Sequence, residues 1–243
     1  MKIDILTLFP EMFGGVINSS IIKRALEKEI FEIEIHDFRE YSNKKNRRVD
    51  DYSYGGGAGM IIEPQPIVDC IRNISGNEKA RKILTSPSGK KYHQEKAVSL
   101  AKEEHLIIVC GHYEGIDNRI TNYIDEEISI GDYILTGGEI AALAIVDSVI
   151  RLIPNVLGNE ESTDIESFDG SLLEFPQYTR PPVFEGLEVP EVLISGDHEK
   201  IKKWRHFKAL EKTYKNRPDL LSKANLSDED LDLIEMIKRG VSL

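Results

Sequence analysis

The sequence predicts an α/β protein with a mainly parallel sheet covered by helices on both faces, followed by a small, mostly helical C-terminal domain. Short apolar runs alternate with helical patterns from residue 2 to residue 151, which is typical of such a sheet. Glycines directly follow several of the apolar runs, as expected where strands end and backbone lines a surface. From residue 198 onward the pattern changes to amphipathic helices, which indicates a separate domain.

The first part of the chain supplies the alternation of strands and helices. Residues 2–9 predict a buried strand that Pro10 ends, and Ser19 or Ser20 can cap the helix that follows. Residues 31–36 alternate as the next strand. The later predicted elements are helices over 67–74, 93–102 and 138–151, strands over 82–85, 106–110 and 127–130, and a helical turn over 119–123.

An aperiodic segment divides the chain. Residues 155–177 are rich in acids, glycines and serines and carry little hydrophobic period, which predicts a linker with a boundary near Asn159. The predicted division is a first domain over 1–159, a linker over 160–176 and a C-terminal domain over 177–243.

The C-terminal domain is predicted to begin with extended chain and to continue as helix. Residues 178–182 and 189–194 predict extended segments, and helices are predicted over 198–214 and 228–239, with Ser227 as the cap of the second. Lysines and arginines recur along the first of these helices, so this domain is expected to be partly basic.

The composition and net charge of the chain limit the classes of function that it can have. The net charge of −11 argues against an indiscriminate nucleic-acid binder, although basic clusters leave local cationic faces open. No apolar run reaches the roughly 18 residues of a membrane span, and Asp4 and Glu11 interrupt the N-terminus, so we expect a cytoplasmic protein and no membrane partner. Cys70 and Cys110 lack CxxC spacing and the histidines lack metal-ligand spacing, which predicts core thiols and no metal site.

Residues 39–59 are a long aperiodic stretch inside the first domain. They contain a basic cluster, then Asp50 and Asp51, then glycines at Gly55–Gly57 and Gly59. One interpretation is a flexible surface loop. The other is a substrate loop, in which the glycines allow close approach of a bulky partner and the basic side chains meet phosphates.

The stretch from Ile107 to Glu139 predicts a ligand site. Gly111 follows one apolar run, Ser129–Asp132 ends the next, and a turn follows at Gly137–Gly138. Ligands of α/β proteins bind at the edge where strands end, and backbone groups exposed there can hydrogen-bond an adenine or a ribose. We therefore expect a nucleoside-like ligand. No GxGxxG motif follows a strand, which argues against a Rossmann-type site.

Six motifs carry a resemblance to a known family. They are YGGGAGM (54–60), CGHYEGIDNR (110–119), ISIGDYILTGGE (128–139), DSVIRLIPNVLG (147–158), FPQYTRP (175–181) and SGDHEKIKKWR (195–205). In order and spacing the chain resembles the bacterial tRNA (guanine-N1)-methyltransferases, the TrmD family of the SPOUT superfamily. The resemblance covers nearly the whole chain. It implies a deep trefoil knot, S-adenosylmethionine as cofactor, tRNA as partner, and a homodimer with the active site at the subunit interface.

The resemblance also implies the cofactor residues and the reaction. Cofactor binding is implied for Leu84, Thr85, Ser86, Pro87, Gly111, Tyr113, Glu114, Gly115, Ser129, Ile130, Gly131, Tyr133, Leu135, Gly137 and Gly138. The implied reaction transfers a methyl group to N1 of the guanosine immediately 3′ of the anticodon, position 37. Neutral guanine carries a proton on N1, so the reaction needs a carboxylate as general base and a cationic donor near O6.

The implied catalytic residues are Arg151, Glu114 and a carboxylate in the linker. Glu166 stands where the family has aspartate, a departure, so we rank Glu166 first as the base, then Asp169, then Asp164. All three could instead be solvated linker acids, and Arg151 could simply face a helix C-terminus. Glu114 could bind the methionine amino group, orient the base or help to hold Mg²⁺, which the family is thought to use.

Contacts with tRNA are expected at Lys44, Arg47, Arg48, Asp50, Lys203 and Arg205. Asp50 would read a base edge and the basic residues would bind phosphates, although each could also be a solvated surface charge. Two other functions stay open. One is a SPOUT methyltransferase acting on another RNA atom, and the other is a catalytically inactive RNA-binding protein, which only Glu166 favours.

Overall fold

The structure is a computed structural model, and it describes residues 1–157 and 172–241. By its internal contacts the chain divides into two compact units, Met1–Asn159 and Glu160–Leu243. The strands and helices of the first unit are β1 (Lys2–Thr7), α1 (Gly14–Ile17), α2 (Ser20–Glu27), β2 (Glu32–Asp37), β3 (Asp50–Asp51), β4 (Ile61–Ile62), α3 (Pro64–Asn73), β5 (Arg81–Lys91), α4 (Gln94–Leu100), β6 (His105–Cys110), β7 (Glu126–Ser129) and α5 (Glu139–Ile150). Short 3-10 turns lie at Pro10–Phe13, Phe38–Tyr41, Lys45–Arg47, Asn77–Lys79 and Asn118–Tyr123.

A five-stranded sheet forms the centre of the first unit, in the order β2-β1-β6-β5-β7, and all of its pairs are parallel. Alternate residues of β1 face opposite sides, so Ile5 belongs to one apolar cluster and Leu6 to the other. The first cluster includes Ile145 of α5 and the second includes Ile67 of α3. The α/β class, the parallel sheet and the helices on both faces are therefore confirmed.

Strand β5 continues beyond its predicted end. Its pairing with β7 shifts register between Thr85 and Lys90, so the predicted turn after Thr85 lies inside one longer strand. A Cβ on Gly89 would lie 2.5 Å from backbone atoms of Glu127 and Ile128. Only glycine allows β7 to pass this close, which explains how the chain resumes pairing after the turn.

A buried polar cluster lies on the sheet. Asp4 has no exposed surface, and its oxygens accept hydrogen bonds from His36 Nε2 at 2.5 Å and His105 Nε2 at 2.6 Å. Burial favours a raised pKa, but the two histidines and Lys2 outweigh it and hold the pKa of Asp4 below its ordinary value. Ligand atoms of Asp4, Glu34 and His36 lie within 4.8 Å of one another, which the sequence spacing did not predict. Lys2 Nζ, 3.2 Å from Glu34 Oε2, already supplies a cation there.

The described part of the second unit is mostly helical. Its elements are β8 (Val183–Phe184), β9 (Leu187–Glu188), α6 (Glu191–Ile194), α7 (His198–Asn216), α8 (Pro218–Leu221) and α9 (Asp228–Lys238). Ser227 caps α9 in a capping box with Asp230, which confirms the predicted start. The predicted extended segment over 189–194 is wrong at its end. Residues Glu191–Ile194 instead form the short helix α6, and Pro190 precedes it as the N-cap residue.

Cys70 and Cys110 are fully buried and unpaired, which confirms the prediction of core thiols. Burial raises the pKa of the Cys70 thiol to about 12, so it stays protonated at neutral pH. Among the described helices, none is both long and apolar enough to cross a bilayer.

Candidate functional site

The irregular turn within β5 and the loops after β6 and β7 line a pocket of about 420 Å³, a size typical of small-molecule sites. They meet because the carboxyl ends of parallel strands lie at one edge of the sheet. Every residue for which the sequence implied cofactor binding lines this pocket: Leu84, Thr85, Ser86, Pro87, Gly111, Tyr113, Glu114, Gly115, Ser129, Ile130, Gly131, Tyr133, Leu135, Gly137 and Gly138. The structure brings these residues together, and their role in cofactor binding stays a prediction.

Backbone packs directly against backbone in the wall of the pocket. Gly138 N donates a hydrogen bond to Gly111 O at 2.7 Å. A Cβ on Gly138 would lie 2.1 Å from Thr85 Oγ1 and 2.9 Å from Gly111 N, and one on Gly137 would lie 2.5 Å from His112 Nδ1. A larger side chain at either glycine would force the loops apart.

The charges that line the pocket are negative. Glu114 and Glu127 line it, Ser88 Oγ donates to Glu127 Oε2 at 3.1 Å, and the lining contains no lysine or arginine among the described residues. Glu139, buried at the start of α5, accepts a hydrogen bond from Thr7 Oγ1 at 2.9 Å. Such a lining stabilises a cationic ligand and repels one rich in phosphate.

The glycine-rich substrate loop runs beside this pocket. Glu114 N donates to Met60 O at 3.2 Å, and Ile62 N donates to Gly115 O at 3.0 Å. A Cβ on Gly59 would lie 2.3 Å from Glu114 Cγ, so the glycine allows the two loops to touch. No pattern in the sequence indicated this contact. The contact places the predicted substrate loop next to the predicted cofactor loop.

The basic cluster of the substrate loop is paired with acids of the same region. Lys44 Nζ lies 2.8 Å from both Asp51 Oδ2 and Glu63 Oε1, and Arg48 Nε donates to Asp50 Oδ1 at 3.1 Å. The hydrogen bonds that Lys44 and Arg48 donate to these carboxylates raise the pKa of both basic side chains. Exposed ion pairs are weak, so an RNA phosphate can replace the carboxylate partners at little cost.

The remaining predicted tRNA contacts are divided between the two units. Arg47 Nη1 lies 3.7 Å from Glu40 Oε1 in the first unit. Lys203 and Arg205 lie on α7 of the second unit, and the Arg205 guanidinium carbon lies 4.9 Å from the centre of the Phe175 ring. The structure therefore does not show the six residues as one surface.

The implied catalytic residues are not all at this pocket. Glu114 lines it, whereas Arg151 directly follows the last residue of α5, the helix whose first residue is Glu139. At 1.5 Å per residue the two ends of this 12-residue helix are about 18 Å apart, and Arg151 is not among the lining residues. The three ranked acids, Glu166, Asp169 and Asp164, lie outside the described residues.

Sequence reasoning missed several lining residues. Ser88 and Glu127 face each other across the pocket wall, and His112 packs its ring 4.8 Å from that of Phe9. The buried Nδ1 of His112 makes no hydrogen bond to any described residue. Glu127 was predicted only as part of a strand, and its position next to a strand end was the one available signal.

Comparison with known proteins matches the chain to one family and to similar proteins of the same description. Residues 1–223 match the model of a family described as tRNA (Guanine-1)-methyltransferase TrmD. The chain is 55% identical over 239 residues to a tRNA (guanine-N(1)-)-methyltransferase of Clostridium novyi, an alignment that covers 98% of this chain and 99% of the relative. It is 54% identical over 243 residues to proteins of the same description from Bacillus cereus and Bacillus anthracis, covering 99% of this chain and 100% of each relative.

Proposed function

The chain belongs to the tRNA (guanine-N1)-methyltransferase family, and we propose that it transfers a methyl group from S-adenosylmethionine to N1 of the guanosine immediately 3′ of the anticodon, position 37 of tRNA. The observation that carries the proposal is the acidic, glycine-walled pocket at the ends of β5, β6 and β7. A sulfonium and an amino group are both cationic, and the lining carboxylates stabilise such a ligand.

We further propose that this pocket is formed by a trefoil knot. Two observations support it. The backbone around Gly89 lies against the backbone of β7, and Gly138 lies against the Cys110–Gly111 backbone. Chain crossings this close are what a tight knot requires, and they occur on both sides of the pocket.

S-adenosylmethionine supplies an electrophilic methyl group when bound. The residues of the chain must then remove the N1 proton and stabilise the negative charge that develops toward O6 of guanine. Glu166 is the first-ranked base, with Asp169 and Asp164 behind it, and Arg151 is the donor to O6. Glu114 orients the methionine moiety or the base. Among the described residues, Glu114 belongs to no group of three or more His, Cys, Asp or Glu side chains placed to hold a metal ion, so we propose no protein site for Mg²⁺.

The position of Arg151 supports a homodimer. A guanidinium at the far end of α5 is too distant to act at the pocket of its own protomer, so we propose that it serves the pocket of a second copy. Exposed apolar side chains flank the pocket, with 84% of Ile134 and 49% of Ile140 accessible. Such residues are commonly covered by a partner. On this proposal the linker and the C-terminal unit of one protomer complete the site of the other.

The decisive experiment is methyl transfer from labelled S-adenosylmethionine to an unmodified tRNA transcript with guanosine 3′ of the anticodon, beside a transcript with adenosine there. Incorporation that requires the guanosine and maps to N1 is the expected result. Incorporation at a ribose 2′-hydroxyl would instead establish the other methyltransferase function. Tight tRNA binding without incorporation would identify an inactive RNA-binding protein.

A further inference from the structure

The second unit contains a pocket of its own, of about 530 Å³. Residues 175–182 form one wall, and Val189, Leu193 and Ile194 contribute apolar side chains. Arg205 of α7 closes another side. We propose that this pocket binds one unpaired nucleotide of the RNA substrate, with its base stacked on the aromatic wall and its phosphate held by arginine. The proposal rests on the proposed function, because the RNA is the tRNA that is methylated, and it adds a second base-binding site.

The charge of the pocket selects an anionic ligand. Arg180 and Arg205 line it, and its described lining includes no aspartate or glutamate. No ion pair within the described residues involves either arginine, whereas Lys208 and Lys215 on the same helix as Arg205 both pair with Glu211. Two guanidinium groups that have no carboxylate partner in the described part of the chain, whose net charge is −11 overall, mark a local site for an anion.

The shape of the wall selects a planar group. Tyr178 is 48% exposed, and its ring centre lies 6.3 Å from that of Trp204, with the two ring planes inclined at 55°. The Arg205 guanidinium carbon lies 4.9 Å from the centre of the Phe175 ring. Aromatic rings and guanidinium planes are the surfaces on which proteins stack unpaired RNA bases. A free phosphate uses none of this wall, so the combination favours a nucleotide.

The arrangement also changes the expected role of Arg205. The sequence predicted a contact with phosphate through charge alone. A guanidinium over Phe175 at the rim of an aromatic pocket adds a flat surface, which a lysine at the same position lacks. The positive charge of Arg205 and its planar stacking surface can therefore be tested separately by substitution.

Trp204 provides a local probe, because it is the only tryptophan of the chain. We expect its fluorescence to be quenched when the full-length protein is titrated with an unmodified anticodon stem-loop RNA. Tyr178→Leu and Arg205→Lys should each raise the Kd for this RNA about tenfold, the loss expected for one stacked base. Tyr178→Phe, which keeps the ring, should restore most of the affinity. In methyl transfer, KM for RNA should rise while kcat at saturating RNA stays near its wild-type value.

Lys202→Gln is the matched control, because it removes a charge from the same helix outside the pocket lining. It should weaken binding by less than about threefold, as one screened surface phosphate contact does. Linear polyphosphate of equal charge is the second control, and it should leave Trp204 emission unchanged.

The pocket assignment is overturned if Tyr178→Leu and Arg205→Lys bind the RNA like wild type, or if polyphosphate quenches Trp204 as strongly as RNA does. Cofactor binding and far-UV circular dichroism of each variant check that it is folded. Should Tyr178→Leu fail to fold, Arg205→Lys decides alone. Wild-type methyl transfer on the same RNA separates the two proposals. If the wild-type protein transfers no methyl group but Trp204 is quenched by the RNA as expected, only the proposed function is wrong. If methyl transfer occurs but the Tyr178→Leu and Arg205→Lys variants bind the RNA like wild type, only the nucleotide pocket is wrong.

Discussion

The two pockets of this protein are built by different means. The pocket of the first unit has glycine backbone and carboxylates in its wall, with no lysine or arginine in its described lining. The pocket of the second unit has aromatic rings and two arginines, with no carboxylate among the described lining residues. The first suits a cationic cofactor and the second suits an anionic, planar nucleotide. The local composition of a chain of net charge −11 therefore suits a cationic ligand at one pocket and an anionic ligand at the other. The net charge alone does not reveal this difference.

The two pockets should also respond differently to substitution. Around Gly138 the space for even one carbon atom is missing, so any side chain must displace neighbouring backbone. Around Tyr178 the wall is a half-exposed side chain, which can be trimmed without moving the chain. We expect large losses from the first pocket and graded losses from the second. The graded losses of Tyr178→Leu and Arg205→Lys are the reference for the first pocket. The largest effect there is expected on the chemical step, which the first pocket cannot perform alone.

The largest effect is expected for Glu166→Gln. A neutral amide cannot accept the N1 proton, so kcat should fall by about 10³-fold while cofactor affinity stays near wild type. Single-turnover methyl transfer and equilibrium dialysis with labelled cofactor measure the two quantities. Asp169→Asn is the matched control. If Asp169→Asn is inactive and Glu166→Gln is close to wild type, our ranking of the base is wrong.

Next comes Arg151→Gln, which should lower kcat by roughly 10²-fold through loss of the donor to O6.

The Arg151→Gln variant also tests whether the active site belongs to one subunit or is shared by two. Mixed dimers of Arg151→Gln and Gly138→Val chains contain one site with an intact pocket and an intact arginine, provided that the site is shared. Mixing should therefore restore up to about a quarter of wild-type activity. Sites made within one chain would stay inactive after mixing.

Gly138→Val alone should weaken cofactor binding by about 10- to 100-fold, because its Cβ would approach Thr85 Oγ1 to 2.1 Å and Gly111 N to 2.9 Å. Isothermal titration with S-adenosylmethionine measures the loss. Gly15→Val is the control, since no atom lies within 4 Å of the position of its Cβ. Equal affinities of the two variants would show that close backbone packing does not shape the pocket.

The smallest effect is expected for Glu127→Gln, which tests the sign of charge in the first pocket. Removal of one carboxylate should reduce affinity for S-adenosylmethionine about threefold to tenfold, as expected for a partly solvated charge pair. Affinity for S-adenosylhomocysteine, which has a neutral sulfur, should change less. The ratio of the two affinities is the measurement. A ratio equal to that of wild type would mean that the Glu127 carboxylate does not interact with the positive charge of the sulfonium.

The outline of the fold was open to prediction because it depends on neighbours within a few residues. Alternating and helical apolar patterns predicted the strands and helices around the sheet, and Ser227 predicted the start of α9. The errors were also local. Residues 191–194 form α6 where an extended segment was expected, because a segment this short carries too little periodicity to separate the two.

Local sequence was enough to predict the α/β class, the family, and which loops contain the glycines of the first pocket. Which distant residues meet became visible only in the folded chain. It joined Asp4 to His36 and His105, Glu114 to Gly59, and Arg205 to Phe175. It also placed Arg151 at the far end of α5 from the pocket. The reason is physical: these contacts depend on strand order and on how the helices pack, and no local pattern records where a remote segment will lie.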